Sequence, residues 1–379
     1  MGAIQTKPDT RQKLEILSAD AQYDLACACG TGEADRRHRG PGDRWIYPVS
    51  LPNGGQSILF KTLISNVCVN DCKYCPLRSD QDLRRCVLEP EETVATFMDY
   101  YRAGKVFGLF LSSGVTSTPD GTMDRLLAVA WLLRRKERFR GYLHLKIIPG
   151  ASDAAITEAV SLASAVSLNI ETAGEKHFRR LSDKKDYLRD IIHPIKLISE
   201  LTARGSRFHR VKQTTQFVVG ASDESDRELV DYTWGLYRRL AMDRVYFSAY
   251  QRGLGDSSLP GEVSASPEKM TLTREHRLYQ ADWLLRKYGF HAEEIPFTES
   301  GNLSATLDPK EHWASRHPER FPVDVNRADR LELLRVPGLG PVLVDRILKY
   351  RIRNGSIQSL DCVAPSNKRL QKAAGFLKF

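Results

Sequence analysis

The sequence predicts an α/β protein: a partial barrel of six strand–helix units, followed by a small all-α domain. Three observations carry this. Between residues 56 and 295, short apolar stretches rich in β-branched and aromatic residues alternate with amphipathic stretches of helical period. Apolar strands joined by such helices form a parallel sheet with helices on one face, and six units are too few to close an eight-fold barrel. Residues 323–379 then carry a separate helical pattern dense in basic charge.

Taken in order, residues 1–55 are polar, and only "TRQKLEILSADAQYDLACA" has helical spacing there. The expectation is an N-terminal helical extension, then a loop, packed on the barrel. "SILFKTLIS" reads as the first strand, and "EPEETVATFMDYYRAG" as a helix opened by acidic residues and closed by Gly. "VFGLFLSSG" and "GTMDRLLAVAWLLRRKER" form the second unit, and "YLHLKII" and "SDAAITEAVSLA" the third. "AVSLNIET" is the fourth strand, followed by helical sequence broken at "HPIK", residues 193–196. "TTQFVVG" with "SDRELVDYTWGLYRRLA", and "RVYFSAYQ" with "TREHRLYQADWLLRKYG", complete the set. Residues 296–322, rich in Pro, Ser and charge, read as a linker. In such folds the site lies at the C-terminal ends of the strands.

Of 379 residues, 27% are charged and 41% hydrophobic, as in a soluble globular protein. The longest apolar runs, such as "LLAVAWLL", are too short to cross a bilayer, and the first residues lack the apolar core of a signal peptide. A cytoplasmic protein with reduced thiols and no membrane contact is expected, and clustered cysteines there suggest metal or redox chemistry. The net charge of +9 is uneven: residues 323–379 hold eleven Lys and Arg against five Asp and Glu. A basic tail points to polyanions, nucleic acid first.

The stretch "NVCVNDCKYCPLR", residues 66–78, holds Cys68, Cys72 and Cys75 directly after the first strand. A structural zinc site closes with four ligands, and Cys86 is available as a fourth. A four-iron cluster held by three thiolates instead leaves one iron open to substrate or cosubstrate. Cys27, Cys29, Cys86 and Cys362 are dispersed and read as small buried apolar residues, with a place near the barrel mouth open to Cys27 and Cys29.

The Cys-x3-Cys-x2-Cys spacing, with Tyr74 before the last cysteine, resembles the signature of the radical S-adenosylmethionine (SAM) superfamily. The resemblance implies a partial (β/α)6 TIM-like barrel in which Cys68, Cys72 and Cys75 ligate a [4Fe–4S] cluster. The methionine part of SAM would chelate the fourth iron, and one electron from the reduced cluster would cleave SAM to methionine and a 5′-deoxyadenosyl radical. It also implies an electron donor such as flavodoxin or ferredoxin. Position by position, Ser112, Ser113 and Gly114 fall on the family's Gly-rich contact to the methionine amine, without its usual acidic residue. Asn169 and Glu171 fall on its ribose contact, Lys185 on its carboxylate contact, and Tyr74 and Gly220 near the adenine. Arg78 reads as a surface charge or as a group near the cluster.

In the tail, "VNRADRLELLRVPGLGPVLVDRILKYR" places two apolar helical patterns around "PGLGP". Gly338 and Gly340 permit close backbone approach and positive φ, and Pro341 suits a helix start. A Gly turn feeding a helix N-terminus aims N–H groups at an anion. The stretch resembles the helix-hairpin-helix module, which grips nucleic-acid backbone. The resemblance implies backbone contacts at Gly338, Gly340, Val342, Arg346 and Lys349. A second hairpin would contain "APSN" in place of Gly-x-Gly, with Lys368, Arg369 and Lys372 as charges. The whole chain, including Tyr23-Asp24 and Cys27 before "CVNDCKYCPLR", resembles a bacterial family of DNA modification or repair radical SAM proteins. That implies DNA as substrate and a uracil-DNA-glycosylase-like protein as partner; a radical SAM enzyme modifying RNA or another substrate, and a nucleic-acid-binding protein with a structural metal site, are the alternative readings.

Overall fold

The structure is a computed structural model that describes residues 8–23, 44–50, 55–263, 268–365 and 368–379. Contacts divide the chain into two compact units, Met1–Glu224 with Gly235–Glu275, and Ser225–Trp234 with His276–Phe379.

The first unit is a curled seven-stranded half-barrel sheet in the order β1 to β7. All six expected strands form: β2 (Gln56–Leu63), β3 (Gly108–Ser112), β4 (Tyr142–Lys146), β5 (Ala165–Ser167), β6 (Lys212–Val219) and β7 (Arg244–Ala249). Each pairs in parallel with the next. The helices between them are α2 (Pro90–Arg102), α3 (Pro119–Trp131), α4 (Asp153–Leu162), α5 (Glu175–Leu181), α6 (His193–Leu201) and α7 (Asp226–Leu240). After β7 come α8 (Pro260–Val263) and α9 (Glu268–Lys287). The expected break at "HPIK" does not form: these residues are the first turn of α6, which continues directly from a π-helical stretch, Tyr187–Ile192, with Pro194 in that first turn.

Alternation decides what each strand faces. Leu109 and Leu111 of β3, and Leu143 and Leu145 of β4, are fully buried toward the helices. Phe60 of β2 meets Phe97 of α2 edge-on, with ring centres 5.9 Å apart. The alternate residues face the concave side.

The N-terminal segment departs from expectation. Helix α1 (Thr10–Asp20) forms behind a capping box of Asp9 and Gln12, and its Lys13 reaches Glu92 of α2 at 2.7 Å. But β1 (Ile46–Ser50) replaces part of the expected loop and pairs antiparallel with β2. Pro48 hides this strand from a sequence reading, yet an edge strand tolerates proline because one side of it makes no ladder bonds.

In the second unit, the stretch 296–322 carries α10 (Pro309–Arg316), whose Trp313 is buried and packs edge-on against Phe290 at 5.2 Å. A short parallel pair, β8 (Val323–Asp324) with β9 (Leu377–Lys378), brackets α11 (Arg330–Arg335), α12 (Pro341–Asn354) and α13 (Lys368–Ala374). Leu333, Leu334, Val336, Leu339, Val344 and Ile347 form much of their core.

Candidate active site and candidate nucleic-acid interface

The three cysteines sit in the loop after β2, and that loop is pinned from several sides. The Arg85 guanidinium donates to four of its carbonyls: Asn66 O, Leu77 O at 2.9 Å, Arg78 O at 2.9 Å and Gln81 O at 3.0 Å. Asn66 donates to Asp20 at 2.7 Å and accepts from the Cys86 amide at 2.7 Å. Asp71 accepts from Ser182 Oγ at 2.6 Å and from the amides of Asp183 and Lys184. Burial works against its charge, but those donors hold its carboxyl below the usual range. Arg78 is buried and donates to Leu254 O at 2.9 Å, so it bolts the loop to the segment after β7 rather than lying free on the surface.

Gly114 has a packing reason. A Cβ there would lie 2.4 Å from Val67 O and 3.3 Å from the Cys68 Cβ, so only glycine lets the end of β3 close on the cysteine loop. Val69 N then donates to Val115 O at 2.8 Å. This pairing also aims one N–H at the first thiol: Val115 N lies 3.5 Å from Cys68 Sγ. Leu77 N donates to Cys75 Sγ at 3.4 Å, and Lys185 Nζ to Cys72 Sγ at 2.9 Å. Each cysteine therefore receives one donor. Burial pushes the Cys72 thiol up, with Lys185 opposing, and likewise pushes the Cys75 thiol up, with Cys72 adding to it. Burial alone would lower Lys185, but the Cys72 sulfur and the Glu171 carboxylate raise it instead.

A cleft with a cavity volume of about 190 Å³ opens at the C-terminal ends of the strands. It brings together Cys68, Cys72, Cys75, Tyr74, Ser112, Ser113, Gly114, Asn169, Glu171 and Lys185, ten residues that sequence reasoning singled out. Glu171 is the most constrained. Its φ is +67°, a region unfavourable for a non-glycine residue, and it is held there by Glu171 N to Gln216 O at 3.0 Å and Val218 N to Glu171 O at 2.8 Å. Asn169 Nδ2 reaches its carboxylate at 3.4 Å, and Tyr74 hydrogen-bonds it. Burial and that carboxylate together hold the Tyr74 phenol protonated.

Gly220 is not among the lining residues. Its φ is +86° and its N–H goes to Glu224 Oε1 at 2.9 Å, so it shapes the turn after β6. Sequence reasoning missed Lys146, Gln216, Ser248, Tyr250 and Leu254, which also line the cleft. The first three stand on the alternate positions of β4, β6 and β7 that point away from the helices, a signal present in the strand periodicity. Cys86 is buried away from the cleft, and burial, with Asp20 adding, pushes its thiol up to about 11. Cys27, Cys29 and Asp24 lie outside the described residues, and Cys362 is exposed.

In the second unit, α11 and α12 are joined by residues 336–340. Gly338 has φ +87°, and a Cβ on it would lie 2.3 Å from Arg369 O, so this glycine is required by the approach of α13. Gly340 caps α12 in an extended conformation without a side-chain cap bond. Beneath the turn, the buried Lys310 Nζ donates to Leu334 O at 3.1 Å and to Leu339 O at 2.5 Å. Val342, Arg346 and Lys349 are exposed and, at i, i+4 and i+7, share one face of α12. Arg353 extends the same face and was missed. Lys372 is ion-paired with Glu311, while the side chain of Lys368 lies outside the description.

Residues 320–378 match the family model of the helix-hairpin-helix motif. No curated protein matches the sequence significantly. Among solved structures, the [FeFe]-hydrogenase maturase HydG from Carboxydothermus hydrogenoformans is similar at 17% identity and a TM-score of 0.46, over 58% of this chain and 51% of that one. Methylornithine synthase (PylB) is similar at 14% identity and 0.46, over 59% and 63%. The cobalamin-dependent S-adenosylmethionine radical enzyme OxsB is similar at 17% identity and 0.35, over 62% and 30%. The chain spans about half the length of the maturases it resembles. At these values the neighbours describe a broad likeness of fold and nothing of chemistry.

Proposed function

We propose that the chain is a radical SAM enzyme acting on DNA, with Cys68, Cys72 and Cys75 holding a [4Fe–4S] cluster and the cleft holding SAM. The observation that carries this is the donor set: three thiols on one pinned loop at the cleft, each receiving a single N–H or ammonium donor. Such donors stabilise thiolate charge and tune iron–sulfur potentials. When bound, the reduced cluster supplies one electron to the sulfonium of SAM, releasing methionine and a 5′-deoxyadenosyl radical.

The chain's own residues do the rest. Lys185 sits where it can face both a cysteine sulfur and a ligand carboxylate. Asn169 and Glu171 present a rigid polar edge suited to a ribose diol, and Tyr74 offers a ring against which an adenine can rest. Ser112 and Ser113 supply oxygen acceptors for an amine in place of an acidic residue.

The α12 face is the proposed grip on the DNA backbone, giving salt-dependent affinity and little sequence choice. A base in a duplex must leave the stack to reach the cleft, which costs a few kcal/mol, so an unpaired or damaged target is favoured. A low-potential donor of the flavodoxin or ferredoxin kind would deliver the electron. A uracil-DNA-glycosylase-like partner rests on the sequence resemblance alone. Among the described residues no helix is long and apolar enough to cross a membrane.

The test is anaerobic reconstitution with iron and sulfide, then reduction with SAM present. Four irons per chain, a cluster spectrum altered by SAM, and release of 5′-deoxyadenosine support the proposal, as does their loss in Cys72→Ala. Bound zinc, or iron whose spectrum ignores SAM, overturns it. Parallel incubations with DNA and RNA then identify the polymer.

A further inference from the structure

Several polar side chains around the cleft are engaged within the chain. Asp20 is held by Asn66, Glu171 by Tyr74 and Asn169, Lys185 by Cys72, and Tyr250 by Glu262. Gln216 of β6 and Ser248 of β7 differ. Both line the cleft, and among the described residues neither side chain has a hydrogen-bond partner. Only 7% of Gln216 and 4% of Ser248 is exposed. Folded chains pair nearly all such buried groups, because an unpaired one has lost its water and gained nothing in return. Two of them on adjacent strands of one cleft call for a partner from outside the chain.

The backbone fixes where these two stand. Strand register sets Val218 beside Ser248, with Gln216 two positions before Val218 on the same face. The opposite face is taken by Phe217 and Phe247, both buried and stacked with ring centres 5.9 Å apart. That pair keeps Gln216 and Ser248 turned to the concave side. The Gln216 carbonyl accepts from Glu171 N at 3.0 Å, and Val218 N donates to Glu171 O at 2.8 Å, so the amide stands on backbone locked to the constrained Glu171. Its chemistry is specific. A carboxamide offers a donor and an acceptor in one plane, and a hydroxyl offers either. Neither carries charge. Their complement is a flat neutral edge with an acceptor beside a donor. Every nucleobase has such an edge where it would meet its pairing partner, and that edge is open only in an unpaired base. Val218, which also lines the cleft, adds apolar surface between the two polar groups.

We propose that Gln216 and Ser248 read the Watson–Crick edge of an unpaired substrate base. This deepens the reading of the chain as an enzyme of nucleic acid and rests on it. It makes the two side chains specificity-determining residues, and it restricts the substrate to a base that has left a duplex or never joined one.

For the test, the full chain is reconstituted anaerobically and saturated with SAM, so that a nucleoside cannot take the cofactor's place. Binding of the four deoxynucleosides is measured by calorimetry and saturation-transfer NMR. A nucleoside carries no phosphate, which keeps the tail helix out of the measurement. At least one nucleoside is expected to bind, with Gln216→Leu weakening it about tenfold and Ser248→Ala weakening it less. Gln216→Glu presents two acceptors, so it should raise the rank of deoxyguanosine, whose edge carries two neighbouring donors. A merely structural role would not reorder the nucleosides. Affinity for SAM, measured without nucleoside, should stay within about threefold in all three variants. The ligand-free Gln216→Leu chain should melt at the native temperature or above, since the change removes a buried group that has no partner. Absence of nucleoside binding, binding indifferent to Gln216→Leu, or a Gln216→Leu chain that melts several degrees lower overturns the proposal. A loss of SAM affinity that matches the loss of nucleoside affinity also overturns it, by assigning the amide to the cofactor's adenine. Should Gln216 set the order of nucleosides while the full chain turns over neither DNA nor RNA, the functional reading fails and the base-reading pair stands. DNA turnover unchanged in both Gln216→Leu and Ser248→Ala sinks the pair and leaves that reading intact.

Discussion

Replacing Arg85 by methionine keeps the length and apolar stem of the side chain but strips four backbone carbonyls of their shared donor. Hydrogen bonds to a charged group contribute about 1.5–3 kcal/mol each when shielded. Arg85 is only half-buried, so water takes over part of that role and the four bonds do not add. A net loss of about 3 kcal/mol in loop order is expected, which raises the opened population about a hundredfold. The assay is amide hydrogen exchange on peptides spanning residues 66–85, read beside peptides from β3 and β4 as internal controls. The loop should exchange about a hundredfold faster while the strands hold. Arg85→Lys should fall between, because an ammonium is a compact point charge that cannot span four carbonyls as a guanidinium does. Loop exchange in Arg85→Met within threefold of the native rate would refute the claim that this side chain organises the cysteine loop.

Further consequences can be checked separately. Gly338→Ala places a Cβ against Arg369 O at a positive φ, so the second unit should lose more than about 2 kcal/mol of stability, read as an earlier melting step. Burial lowers the Lys310 ammonium to about 7, with Asp308 opposing, while an unfolded lysine titrates near 10.5. The unfolded chain therefore binds more protons between about pH 7 and 10.5, so stability rises with pH across that window and levels off above it. Lys310→Met should flatten this rise in denaturation curves taken from pH 7 to 10. Arg346→Glu with Lys349→Glu should weaken binding of the full chain to DNA of any sequence and make the slope of log affinity against log salt shallower by about two.

The six parallel strands were legible because each is an apolar run flanked by punctuating residues and followed by a helix-period stretch. The cysteine loop was legible from spacing alone, as was the hairpin turn with its two glycines. What escaped depended on contacts remote in sequence. Pro48 argued against a strand that tolerates it only as an edge. Arg85 looks like one basic residue among many until the loop folds around it. Gly114 and Gly338 were read as sites of ligand approach; that the backbone of the same chain also packs close beside each depends on residues remote in sequence. Gly220 sits on the right strand end but spends its N–H on Glu224. Lys310 fell in a stretch read as a linker, where nothing local marks a lysine that reaches under a turn 24 and 29 residues away.

The cysteine loop is stitched to residues far along the chain: Asp71 to Ser182 across 111 positions, and Arg78 to Leu254 across 176. A nascent polypeptide therefore emerges with its thiols on a slack tether long before their clamps have been synthesised. Closing such wide loops is entropically unfavourable until the strands between them are in place. The three sulfurs thus acquire their final spacing only once the clamps from residues 182 and 254 are in place.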